Sequence, residues 1–210
     1  MSGVIIPQMG QNNIHCTNLH GDRDIGEYWE KQFCRIAAQY GKSFTPMQIG
    51  RKKSAQALCY DYNISTWNHH TMPDITIWTY PGEHHEIKHK NPTSSGRFGL
   101  EVYRFDDLIW FANETLQTVM YTIHNHDLAG GRDVLENNID HWVTVNIKNL
   151  NNRMDATFPG YSWVNGEKKE VNIHYWSKDL WIPLKEFWAA NSKCIAAAAS
   201  QQEPLPLVTR

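Results

Sequence analysis

The chain has 210 residues, 41% hydrophobic and 20% charged, with a formal net charge of −2, which is enough for one substantial core and too little for two comfortable domains. No apolar run is long enough to cross a bilayer, and the opening MSGVIIPQMGQNN has neither a basic leader nor an apolar stretch with a small-residue cleavage site, so a cytoplasmic protein with no membrane partner is expected. With so small a charge any nucleic-acid affinity must come from a local basic surface, while Cys16, Cys34, Cys59 and Cys194 are too scattered for a zinc knuckle or a disulfide framework and are read as reduced.

After a polar start, Asp24 and Glu27 have the spacing of a capping box, and Ile25, Tyr28, Trp29, Phe33, Ile36, Ala37 and Tyr40 recur at helical intervals up to Gly41. The pattern predicts a helix over about 25–40. Residues 43–62 read as one or two strands and a loop, interrupted by Arg51-Lys52-Lys53. From Asp74, alternation through Ile75, Ile77 and Thr79 up to Pro81-Gly82 predicts a hairpin whose return strand is about 85–90. A loop over 91–99 leads to a helix over about 100–116 and a buried strand over 118–124.

Residues 140–150 fit helix and strand equally badly. Asn165-Gly166 is a two-residue turn between strands over 161–164 and 171–176, and Pro183 begins a short helix through Phe187 and Trp188. Residues 191–210 show no packing pattern and are expected to form a flexible tail after a single domain over 1–190, with its core at about 24–125. The nine tryptophans read as core or interface residues.

The chemistry concentrates in the first hairpin. Residues two apart on a strand share a face, so Glu86 and Lys88 project together while Ile87 points into the core, and the turn returns Asp74 to within a residue or two of them. Two carboxylates brought together repel, and a divalent ion removes that cost. Mg²⁺, or Mn²⁺ in its place, suits a site with one or two protein carboxylates and can supply an activated water. Lys88, beside two carboxylates, should stay charged and serve that water and the developing negative charge rather than act as a base.

Pro73-Asp74, eleven intervening residues and Glu86-Ile87-Lys88 resemble the motif of the PD-(D/E)xK nuclease superfamily, which includes restriction enzymes and Holliday-junction resolvases. The resemblance implies a restriction endonuclease-like α/β fold, a central mixed sheet flanked by helices in the order helix, three strands, helix, strand, here followed by an extension containing a hairpin. It implies that Asp74 and Glu86 bind the metal, that the Ile87 carbonyl completes the site and that Lys88 serves the attacking water. Glu30, in Gly26-Glu27-Tyr28-Trp29-Glu30, looks like the glutamate that many members carry on the first helix. The implied activity is hydrolysis of DNA by an endonuclease, with a homodimer as the form suited to cutting both strands.

Asp155 precedes Glu167-Lys168-Lys169 by the same eleven residues, but that copy lies beside an Asn-Gly turn, where solvated charges are normal. His69-His70, His84-His85 and His89 form a rival constellation for a histidine-bound metal; without H-E-x-x-H or Cys/His spacing they read as surface or rim residues, with His85 or His89 within reach of substrate phosphate. Lys90 and Arg97 are the favoured phosphate contacts, followed by Arg51, Lys52, Lys53 and Arg104. A nucleic-acid-binding protein without cleavage and a hydrolase with a histidine-bound metal are the alternatives.

Overall fold

The computed structural model describes residues 22–46, 73–79, 82–131, 136–164 and 167–201. Arg51-Lys52-Lys53, His69-His70, Pro81 and the Asn165-Gly166 turn lie outside the described residues.

Helix α1 (Asp22–Gln39) buries Trp29, Phe33, Ile36 and Ala37, a stripe at helical spacing, each at most 1% exposed. It starts earlier than the capping-box reading requires, so Asp24 lies inside the first turn. It stops where Gly41 takes φ +67° and the Lys42 N–H bonds the Ala37 carbonyl at 2.9 Å, a left-handed glycine stop. Strands β1 (Phe44–Pro46), β2 (Ile75–Ile77) and β3 (Glu83–Lys90) follow, then β4 (Arg97–Glu101) and helix α2 (Val102–Glu114). The helix expected over 100–116 is therefore split, its first two residues belonging to a strand.

Next come β5 (Val119–Asn125), a single-turn helix α3 (His126–Ala129), a 3-10 turn at Ile139–His141, β6 (Trp142–Asn146) and a second single-turn helix α4 (Ile147–Leu150). Residues 139–150 fit neither period because they change conformation twice. The second hairpin, β7 (Ala156–Val164) and β8 (Glu167–Ser177), extends beyond the expected spans. A short β9 (Ile182–Pro183) precedes α5 (Leu184–Gln201), so Pro183 ends a strand rather than opening the helix. The expectation of a tail from residue 191 is corrected: the helix continues to Gln201, since Ala196 to Ala199 favour helix by intrinsic propensity without needing an amphipathic pattern.

The fold is mixed α/β, with a central mixed sheet flanked by helices. Its six strands run in the order β1-β2-β3-β5-β6-β9, with β3 and β5 parallel and the other pairs antiparallel. The parallel pair requires a crossover, which β4 and α2 provide. A separate antiparallel sheet, β4-β8-β7, packs with α2. In it Gly99 is demanded by close approach: a Cβ there would lie 2.8 Å from both Ile173 Cγ2 and Tyr175 Cε1.

Both faces of the central sheet are buried, so alternation sorts side chains between two cores. One core holds Trp29, Phe33, Ile75, Ile77, Ile87, Trp142 and Trp188, against α1 and α5. The other holds Phe98, Leu100, Phe105, Leu108, Tyr121, Ile123 and Trp176, against α2 and the small sheet. No helix among the described residues is long and apolar enough to cross a membrane.

Candidate active site

Ile75 pairs with His85 and Thr76 with His84, so one step back along the antiparallel register Asp74 falls opposite Glu86. The contact is made through the backbone: Ile87 N–H donates to Asp74 Oδ2 at 2.7 Å. Glu86 points to the α2 side. Its Oε1 accepts from Lys88 Nζ at 2.5 Å and from Arg104 Nε at 2.9 Å, and Oε2 accepts from a terminal nitrogen of Arg104. Asp74, Glu86 and Lys88 are thus brought together, with Glu86 fully buried, Asp74 6% exposed and the Lys88 side chain 30% exposed.

The electrostatics separate the two carboxylates. Burial pushes the Asp74 carboxyl well up, and the negative charge of Glu86 pushes it further, against the pull of Lys88 and Arg104. Burial would raise Glu86 too, but Arg104 first and Lys88 second outweigh it and hold that carboxyl below its ordinary range. Lys88 and Arg104, which burial alone would discharge, are kept protonated above their ordinary values chiefly by Glu86. Glu30, half-buried on α1, is raised by burial, with Lys88 pulling down and Glu86 pushing up, so it lies within electrostatic reach of the cluster.

Arg104 is the residue whose place sequence reasoning misjudged. It was expected among the phosphate contacts, yet it is 6% exposed and committed to Glu86. The signal was available: Arg104, Leu108 and Phe111, all buried, stand four and three residues apart, which puts a lone cation on the apolar stripe of α2. A charge there requires a buried partner.

Lys90 continues the Glu86–Lys88 face of β3 and donates to the Gly99 carbonyl at 2.7 Å. Beside it a groove of about 300 Å³ is lined by Lys90, Asn91, Thr93, Arg97, Gly99, Ile173 and Tyr175. Arg97 reaches Asp155 at 3.2 Å. The second motif copy does not assemble. Val164 pairs with Glu167 at one end of the β7–β8 hairpin and Ala156 with Tyr175 at the other, so Asp155 and Glu167 are separated by roughly 30 Å at about 3.4 Å per residue.

The reading of His84 and His85 as surface or rim residues is corrected, whereas His89 is half-buried. His84 is 6% exposed and His85 is fully buried. His85 and His89 share the Ile87 face, and the alternation that sent Ile87 into the core sends His85 there too. His85 bonds Thr122 Oγ1 at 2.8 Å and lies 3.3 Å from Glu83 Oε1; Glu83 in turn accepts from Trp188 Nε1 at 2.6 Å. Sealed in this way, His85 has no path to a phosphate. His89 Nδ1 lies 3.0 Å from His124 Nδ1, and the His124 ring stacks on Trp29 at 3.7 Å, with His126 and His141 in the same cluster.

For a divalent cation the donor set fits in kind: Asp74, Glu86 and Glu30 offer hard carboxylate oxygens, and a cation would relieve the repulsion that pushes Asp74 up. In the present arrangement, however, Glu86 is engaged by two side-chain cations, and among the described residues no three His, Cys, Asp or Glu side chains already stand around one point. The donors are assembled with Arg104 and Lys88 as their counter-ions.

No family model matches the chain, and no curated protein matches it. Among solved structures it is similar to Hjc, a Holliday junction resolvase from the archaeal hyperthermophile Archaeoglobus fulgidus, at 11% identity and a TM-score of 0.45, over 78% of this chain and 94% of that one.

Proposed function

We propose that the chain is a metal-dependent endonuclease that hydrolyses phosphodiester bonds in DNA. The observation that carries this reading is the buried juxtaposition of Asp74 and Glu86 across the β2–β3 ladder, with Lys88 bonded to Glu86. Asp74 and Glu86 would hold Mg²⁺ or Mn²⁺, with the Ile87 carbonyl and Glu30 as further oxygen donors. The ion, when bound, neutralises charge on the phosphate and lowers the pKa of a bound water. Lys88, kept protonated and the most open member of the cluster, offers N–H groups to the attacking water and to the growing negative charge. Lys90 and Arg97 flank a groove at the end of this face, where they would contact phosphates without reading sequence. Arg51, Lys52 and Lys53 are proposed as supplementary contacts, and a homodimer as the form that cuts both strands.

A second reading, a nucleic-acid-binding protein without cleavage, is favoured by one observation: Glu86 already has its charge matched inside the protein. Incubation of the purified protein with plasmid and oligonucleotide DNA in Mg²⁺, Mn²⁺ or EDTA separates the two. Cleavage should require the ion and fall by about 10²–10⁴-fold in Lys88→Ala, the range usual for removal of a group that serves proton transfer or transition-state charge. Cleavage that persists in EDTA or survives the substitution sinks the mechanism, and binding without cleavage selects the second reading.

A further inference from the structure

Arg104 meets Glu86 as a fork: Nε on one oxygen at 2.9 Å and a terminal nitrogen on the other. Lys88 adds a third N–H at 2.5 Å. A carboxylate has about four lone-pair sites, so three are taken, and the guanidinium spans both oxygens as a chelated metal ion would. Glu86 is fully buried, and Arg104 is what covers it from the α2 side. A divalent ion added beside this arrangement would bring two further positive charges against a guanidinium and an ammonium where little water screens them. One cation has to leave. Lys88 is tied to Glu86 through a single oxygen and leaves the other open to an ion, whereas the Arg104 fork occupies both oxygens and so stands where an ion would bind. Asp107, one turn along α2, already acts on the charge of Arg104 and offers it a second carboxylate.

We propose that Arg104 is the resident cation of Glu86, and that a divalent ion entering at Asp74 and Glu86 displaces its guanidinium, so that the site is shut until the ion arrives. The proposal rests on the reading of Asp74 and Glu86 as the metal-holding pair. Its consequence is that ion binding is a competition: the protein binds a divalent cation more weakly than an open pair of carboxylates would, and the strength of the Arg104 fork sets the ion concentration at which the site opens.

The test is Mn²⁺ binding to the full chain, read by electron paramagnetic resonance, in wild type, Arg104→Lys, Arg104→Gln and Asp74→Asn. Arg104→Gln should bind Mn²⁺ about tenfold more tightly or better, because a competing full charge is gone, and Arg104→Lys, which keeps the charge and loses the fork, should fall between it and wild type. Asp74→Asn should lose the site. If removing the buried partner of Glu86 unfolds Arg104→Gln, the wild-type protein still decides: in a Mg²⁺ titration followed by side-chain NMR, the Arg104 Nε–H signal, assigned by its loss in Arg104→Lys, should leave its carboxylate-bonded position in step with ion binding. Ion binding that depends on Asp74 while the Arg104 Nε–H stays put, or an Mn²⁺ affinity that is unchanged or weaker in Arg104→Lys, overturns the exchange and leaves the nuclease reading standing. No Asp74-dependent binding in any variant overturns both.

Discussion

Asp74 is held where a carboxylate is expensive. It is 6% exposed, lies across from a second carboxylate and accepts a hydrogen bond from the Ile87 peptide. Asn offers the same carbonyl oxygen to that N–H without the charge, so Asp74→Asn should keep the fold, abolish divalent-ion binding and cleavage, and stabilise the ion-free protein. The gain should be on the order of 1 kcal/mol, or about 2–4 °C in Tm for a chain of this size, from removing one unfavourable buried charge. A variant that melts earlier than wild type without metal ions would show that the carboxylate is there for structure. Asp74, Glu86 and Lys88 were legible because spacing, strand alternation and a turn all act within sixteen residues. Arg104 was not, because its partner lies eighteen residues away on another element, and only its place on an apolar helix face betrays that it is paired.

At the scale of elements, α2 is joined to β5 by a short loop in which Leu116 adopts φ +55° with 86% of its surface exposed. A left-handed conformation costs an L-residue about 1–2 kcal/mol, and so exposed a side chain repays little of it through packing. Leu116→Asn should therefore raise stability by about 1 kcal/mol, because Asn tolerates this region, and Leu116→Gly by less, because glycine adds freedom to the unfolded chain. Urea melts of the two variants check it, and a loss of stability in Leu116→Asn would mean that the side chain packs on something that matters. The elements that could be read from sequence are α1, which stops at Gly41, the strands β3 and β5, and the pair β7–β8, each a single conformation from end to end. The misread ones lack such a boundary: β4 runs into α2 with no turn residue between Glu101 and Val102, and residues 139–150 pass through a 3-10 turn, a strand and a helix without a glycine or proline.

Across the whole molecule the central sheet acts as a partition. Strand β3 sends Glu86, Lys88 and Lys90 to the α2 side and His85, Ile87 and His89 to the α1 side, and β5 sends His124 to that same side, where it is fully buried and stacked on Trp29. Burial first, then the neighbouring His141 and His126, lowers the pKa of His124 from 6.5 to about 3. In the unfolded chain the same imidazole takes up a proton as the pH falls through about 6.5. Between these two values the unfolded state holds one more proton than the folded state, so its share of the stability is intact above pH 6.5 and is lost progressively down to about pH 3. Glu83 has the same sense at lower pH: although burial opposes it, the neighbouring His85 and the hydrogen bond from Trp188 hold its carboxyl below the ordinary 4.5, and their contribution fades as the pH drops through the folded value. Acid should therefore weaken the protein in two stages, beginning in the histidine range and continuing into the carboxylate range. The first stage should approach 1.4 kcal/mol per pH unit at most. His124→Phe keeps a ring against Trp29 and removes the titration, so urea melts at pH 7, 6, 5 and 4.5 should show wild type losing stability steadily and the variant losing markedly less. Equal slopes in the two proteins would mean that the histidine face of the sheet can admit water and protons without opening, and that the partition between the two faces is not a dry one.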